Sequence, residues 1–193
     1  MQTFAQNAVL LVIDVQKGFD EPYWGRRNNP QMEAHITELL DAWRGTGRPV
    51  MHARHMSTEP ASPLRPGQPG NEFKEQAAPL PGEAVIEKSV NSCFIGTTLE
   101  ADLRRAGNDT LVVAGLTTNH CVSTTVRMAG NLGFNVWLVA DATATFDRVG
   151  PDGVTYPAEQ IQAIALSDLH REFATVVDTQ TVLDAAGPVR DAQ

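Results

Sequence analysis

Cysteine is scarce: the 193 residues hold two, Cys93 and Cys121, with no Cys-x-x-Cys spacing between them. A disulfide scaffold and a Cys-based zinc site are excluded, so each thiol needs its own explanation. Basic charge is also in short supply, because 15 Lys+Arg stand against 23 Asp+Glu for a formal net charge of −8, with no basic block anywhere. The electrostatic footprint of nucleic-acid or anionic-membrane binding is missing, which leaves a small molecule or a protein as the partner. Long apolar runs are lacking too: the longest, Ala8 to Ile13, is far short of the ~20 residues that span a bilayer. Met1-Gln2-Thr3-Phe4 has no charged segment of the secretory kind, and the expectation is a cytoplasmic, unprocessed protein. No G-x-G-x-x-G follows the first apolar run, which argues against a dinucleotide-binding domain.

What the chain does have is apolar material, 42% of residues against 20% charged, enough for one domain over residues 1–193. Short β-branched runs alternate with segments of helical period, the pattern of an α/β fold with a buried, mainly parallel sheet. The runs begin at Val9, Pro49, Ala84, Leu111, Val136 and Ala174, so six strands are expected. Met32, Ile36, Leu39, Leu40 and Trp43 share one helix face, with Gly45 and Gly47 placed to end it. Further helices are expected near Thr97 to Ala106, Asn119 to Leu132 and Pro157 to Phe173. Residues 57–82 break the rhythm: they carry six of the twelve prolines and no clear period. This segment reads as a long ordered loop of the kind that builds binding sites. The tail over 187–193 is expected to be frayed.

Ligands of open parallel sheets sit beyond the carboxyl ends of the strands, so polar residues that follow each run are the candidates. Asp14 closes the first run, Lys88 follows Val85-Ile86-Glu87, Gly115 to Cys121 follows the fourth, and Asp141 follows the fifth. Together they would bring carboxylate, ammonium and thiol to one edge, a workable set for nucleophilic catalysis. Cys121 sits after a Gly/Thr-rich turn at the start of an expected helix, where backbone N–H groups favour a thiolate, below the ~8.5 of a free thiol. Taken singly, each has a plainer use: Cys121 as a small buried apolar residue, Asp14 as a turn cap, Lys88 as a solvated charge.

Val12-Ile13-Asp14-Val15-Gln16-Lys17-Gly18-Phe19, Glu87-Lys88-Ser89 and Ala114-Gly115-Leu116-Thr117-Thr118-Asn119-His120-Cys121-Val122-Ser123-Thr124-Thr125 resemble the three signature blocks of the isochorismatase-like cysteine hydrolases. That family includes nicotinamidases, N-carbamoylsarcosine amidohydrolase and biuret hydrolases, and the likeness runs from Leu10 to about Leu183. The resemblance implies a three-layer α/β/α sandwich around a six-stranded, mainly parallel sheet. It implies Cys121 as nucleophile, Asp14 as general base and later proton donor, and Lys88 as the residue that polarises both. A cis peptide at Leu116–Thr117 and an oxyanion hole from the N–H groups of Thr117 and Cys121 are implied with them. The implied reaction is attack on an amide or ureido carbonyl, loss of ammonia or an amine, and hydrolysis of a thioester.

True isochorismatases lack the nucleophilic cysteine and hydrolyse a vinyl ether, so Cys121 argues for carbon–nitrogen cleavage. Nicotinamidases of the family hold a metal through an Asp and several His, whereas His52-Ala53-Arg54-His55 has no carboxylate within it. No metal and no cofactor are expected. Strand alternation sends at most one of His52 and His55 to a pocket, and His55 is the choice. Phe19, Trp24 and Phe94 are candidate pocket walls, with Thr118 in the same turn as the nucleophile. Arg54, Arg65 and Arg148 are able to recognise a carboxylate but serve equally as solvated charges, and none is assigned to the site. Family members are commonly dimers or tetramers, so a homo-oligomer is expected. Two other readings stay open: vinyl-ether hydrolysis with Asp14 protonating substrate, and a non-catalytic oligomeric binding module.

Overall fold

A computed structural model describes residues 4–187. In chain order the elements are β1 (Val9–Ile13), α1 (Met32–Thr46), β2 (Val50–His55), β3 (Ala84–Lys88), α2 (Leu99–Arg105), β4 (Thr110–Leu116), α3 (Ser123–Asn131), β5 (Asn135–Ala144), β6 (Arg148–Val149), β7 (Thr155–Tyr156), α4 (Ala158–Leu169), β8 (Thr175–Val177) and α5 (Thr179–Ala186). The frayed tail expected over 187–193 lies, beyond Gly187, outside the described residues. Among the described residues, no helix is long and apolar enough to cross a membrane.

Six strands form one sheet in the order β3-β2-β1-β4-β5-β8, and every neighbouring pair is parallel. A parallel sheet must be covered on both faces, and strand alternation directs the cover. Leu10 and Val12 of β1 join Met32, Ile36, Leu39 and Trp43 of α1 and Val182 of α5 in one apolar cluster. Val9, Leu11 and Ile13 join Leu99 and Leu103 of α2, Val126 of α3 and Leu169 of α4 in the other. The result is the three-layer α/β/α sandwich that the alternation of segments calls for.

Several boundaries differ from the sequence reading. Gly45 lies inside α1, which ends at Gly47. The helix expected over Asn119 to Leu132 divides into a π-helical turn, Thr118–Val122, followed by α3. β5 runs on through Asp141 to Ala144, past a register shift between Val113 and Gly115 of β4. α4 stops at Leu169 rather than Phe173, and α5 and the antiparallel β6–β7 hairpin were not foreseen. Residues 57–82 fold into turns tied back to the sheet: Asn71 Nδ2 donates to His55 O at 2.8 Å and to Leu64 O at 2.7 Å.

The chain order reverses where β1 separates β2 and β3 from β4, β5 and β8. A crevice opens beyond the strand ends at such a switch point, and here the strand-end residues meet.

Candidate active site

Asp14 leaves β1 with φ +53, in the left-handed region that short polar residues tolerate best. Its N–H donates to Ala53 O at 2.9 Å, and its carboxylate turns under the crevice with no exposed surface. On the far side of β1, Gly115 carries φ +121, and the peptide bond between Leu116 and Thr117 is cis.

Lys88 sits at the end of β3, two strands from β1, with its backbone registered against His55 of β2. Its long side chain crosses β2, and Nζ reaches Asp14 Oδ2 at 2.6 Å with both side chains at 0% exposure. Nζ also donates to His55 Nδ1 and to Val90 O, each at 3.3 Å. Burial is the strongest single influence and works against the ammonium, but Asp14 together with the two nearby cysteines outweighs it and holds the Lys88 pKa above the ordinary lysine value. His55 is pushed down, first by burial and then by the Lys88 charge, so its neutral ring accepts from the ammonium. Gln16, fully buried, fixes that histidine: its Oε1 accepts from His55 N–H at 2.8 Å while its Nε2 donates to His55 O at 3.1 Å.

Cys121 is 8% exposed within the π-helical turn, and its thiol faces Asn91 Oδ1 at 3.7 Å. The expectation of a lowered thiol pKa is corrected here. Burial pushes the thiol up, the Asp14 charge adds to that, and Lys88 opposes it without prevailing. The thiol therefore rests protonated and needs a base. Asp14 Oδ1 is buried with no hydrogen-bond partner among the described residues, leaving a lone pair free for a proton. One ligand atom each from Asp14, His55 and Cys121 lies within 4.8 Å of the others, the spacing of a metal site. The Lys88 ammonium, in contact with both Asp14 and His55, supplies the positive charge at that place.

A small cavity of about 100 Å³ opens over these groups, lined by Asp14, Phe19, Trp24, His55, Leu64, Asn91, Thr117, His120 and Cys121. Phe19 and Trp24 form its aromatic wall, with ring centroids 4.8 Å apart, and Trp24 packs against Phe146 at 5.7 Å. Leu64 arrives from the irregular 57–82 segment. Phe94 does not line the cavity: it stacks on Phe134 at 5.8 Å in the core on the α2–α3 face. Thr118 is fully buried, its hydroxyl without a hydrogen-bond partner among the described residues, and it too is absent from the lining. Asp141 is half-buried within β5 and accepts from Thr179 N at 2.9 Å, well inside the strand rather than at its end. His52 turns away to Glu83 Oε2 at 2.8 Å. Both cysteines are free, and Cys93 is fully buried, its thiol pushed up to about 12 by that burial. Asn91 and Leu64 were not read from the sequence, because they follow no strand run in a way that periodicity marks, and His120, though within the turn after the fourth run, was given no role of its own.

The profile of the isochorismatase domain matches residues 8–181. The isochorismatase family protein YrdC of Bacillus subtilis is 44% identical over 179 residues, 93% of this chain and 96% of its own length. A crystal structure of an isochorismatase-family protein from Chromobacterium violaceum superposes with a TM-score of 0.93 at 47% identity, covering 96% of both chains. A cysteine hydrolase from Pseudomonas syringae pv. phaseolicola superposes with a TM-score of 0.85 at 27% identity, over 94% of this chain and 92% of its own. With carboxylate, ammonium and thiol at the switch point of a sheet that these proteins share, and a profile match spanning nearly the whole chain, this protein belongs to the isochorismatase family of hydrolases.

Proposed function

We propose that the protein is a cysteine hydrolase that cleaves the carbon–nitrogen bond of a small carboxamide or ureido compound through a thioester on Cys121. One observation carries the reading: a thiol and a carboxylate with a free oxygen line one small cavity, and a buried ammonium lies 2.6 Å from that carboxylate.

In this reading Asp14 Oδ1 takes the thiol proton as Cys121 Sγ attacks the carbonyl carbon. The carbon–sulfur bond forms and the carbonyl electron pair moves to oxygen, where the N–H groups of Thr117 and Cys121 receive it. The carbon–nitrogen bond then breaks, Asp14 returns the proton to nitrogen, and ammonia or an amine leaves. Water attacks the thioester with Asp14 as base, which restores the thiol and releases the acid. Lys88 stays charged throughout and offsets the charge that grows at sulfur and oxygen. A cavity of about 100 Å³, against the ~300 Å³ or more of sites for drug-sized ligands, favours a short acyl or carbamoyl group.

Ammonia release from small amides, ureas and carbamoyl amino acids tests this, with wild type and Cys121→Ala run side by side. Release that disappears in the variant is the expected result. Turnover that survives Cys121→Ala would end the proposal.

A further inference from the structure

We infer that Asn91 is a specificity-determining residue of this site: its Oδ1 accepts an N–H of the scissile nitrogen, which selects substrates whose leaving nitrogen carries hydrogen over esters and dialkyl amides. This rests on the proposed function and names the feature of the substrate that the site reads.

Asn91 lines the cavity as an exposed residue, and its Oδ1 lies 3.7 Å from Cys121 Sγ. Among the described residues its carboxamide makes no other hydrogen bond. The segment that presents it is fixed on both sides. Val90 O accepts from Lys88 Nζ at 3.3 Å, Ser92 Oγ accepts from Phe94 N–H at 3.2 Å, and Cys93 N–H donates to Thr125 Oγ1 at 3.1 Å. Thr125 belongs to α3, which continues directly from the turn that holds Cys121, so the loop is anchored to the element that carries the nucleophile.

The other polar side chains at the thiol offer something different. His55 Nδ1 accepts from Lys88 and His120 Nε2 accepts from Arg148, so each neutral ring has only an N–H left to present. Asp14 Oδ1 is the proposed base. Asn91 Oδ1 is the neutral acceptor that the nucleophile itself touches, and in the resting site it faces the thiol S–H. Once that proton has passed to Asp14 and Sγ has bonded to the carbonyl carbon, the leaving nitrogen stands two bonds from sulfur, where an N–H can take the place of S–H at Asn91. A tetrahedral nitrogen directs its lone pair away from its hydrogens, so an N–H held by Asn91 turns that lone pair toward Asp14, which returns the proton. An ester oxygen has no hydrogen to give, and a dialkyl nitrogen would press a carbon against Oδ1.

Two readouts test the assignment. In the first, kcat/KM is compared for propionamide, N,N-dimethylpropionamide and methyl propionate in wild type, Asn91→Leu and Asn91→Asp. The ratio of propionamide to each of the other two should fall about fivefold to tenfold in Asn91→Leu, the worth of one neutral hydrogen bond. It should survive in Asn91→Asp, which keeps the acceptor oxygen. In the second, Cys121 is alkylated with iodoacetamide and with methyl iodoacetate, the modified residue being assigned by peptide mass and each rate divided by that of a free thiol. The amide-to-ester ratio should again fall in Asn91→Leu and survive in Asn91→Asp, although both rates drop there beside the added negative charge. An unchanged ratio in Asn91→Leu, in either readout, overturns the assignment. Equal loss with amide and ester assigns Asn91 a structural role and overturns it too. Turnover independent of Cys121 would overturn the hydrolase reading alone, since the alkylation ratio needs no substrate.

Discussion

Lys88 Nζ reaches Asp14 Oδ2 at 2.6 Å from a strand that is not a neighbour of β1, and neither side chain has any exposed surface. A buried pair of this kind gains little over an apolar pair, but each member alone is costly, because the survivor is a buried charge without a partner. The pair therefore ties the edge strand β3 to the centre of the sheet while it holds two of the three candidate catalytic groups.

Removing one member should destabilise strongly and removing both should not. Lys88→Met and Asp14→Asn are each expected to lose about 3–5 kcal/mol in urea unfolding. The double variant should lose less than the sum of the two. Under the proposed chemistry both singles should also lose about 10²- to 10⁴-fold in turnover, the usual contribution of a positioned acid–base group. Additive stability losses would show that the pair is not coupled.

The pH dependence of Cys121 alkylation should be displaced upward. Burial raises the thiol pKa and the Asp14 charge adds to it, so the iodoacetamide rate should inflect above the ~8.5 of a free cysteine. Asp14→Asn removes a neighbouring negative charge and should move the inflection down. Lys88→Met removes the opposing positive charge and should move it further up. Shifts of the same sign in the two variants would contradict this electrostatic account.

The sequence made the core of the site readable because its parts lie immediately after strands. Asp14 and the turn ending at Cys121 follow runs whose burial is plain from composition, and Lys88 ends a third. Asp141 and Phe94 failed for the same reason that the others succeeded. Position after an apolar run predicts a strand end only where the strand stops, and β5 continues through Asp141, while Phe94 turns into the core against Phe134. The thiol pKa was misjudged because a helix start is local whereas burial is tertiary. Asn91 and His120 converge on the cavity only through packing of the segment after β3 against the π-helical turn. Nothing in their spacing announces that meeting.

Acid should weaken the fold through Glu33. This carboxylate bonds Arg27 at 2.6 and 2.8 Å and Lys74 at 2.7 Å. Burial tends to raise its pKa, but these partners prevail and bring it from 4.5 to about 2. With a folded pKa below the unfolded one, the stabilisation is complete above about pH 4.5 and is lost as pH falls toward 2. Allowing for solvent screening, the loss is on the order of 2 kcal/mol. Urea midpoints at pH 6 and pH 3 should differ more in wild type than in Glu33→Gln. An equal pH response in both proteins would place the acid sensitivity elsewhere.

The turn that carries Cys121 should tolerate no side chain at Gly115. Its φ of +121 disfavours any L residue, and an added Cβ would stand 2.0 Å from Ile13 O and 2.7 Å from Ile13 N. Those atoms are backbone of the central strand, registered directly against Gly115, and cannot withdraw without breaking the β1–β4 ladder. Gly133 is the control: its φ is +83, yet no atom lies within 4 Å of the same added carbon. Gly133→Ala should cost about 1–2 kcal/mol from backbone conformation alone. Gly115→Ala should cost about 3 kcal/mol or more, and in the surviving folded fraction Cys121 alkylation should be altered, because Asp14 and the nucleophile's turn leave the two strands that Gly115 holds together. Equal unfolding midpoints for the two variants would mean that β1 and β4 separate at little cost, and that the close approach is not what sets the geometry between Asp14 and Cys121.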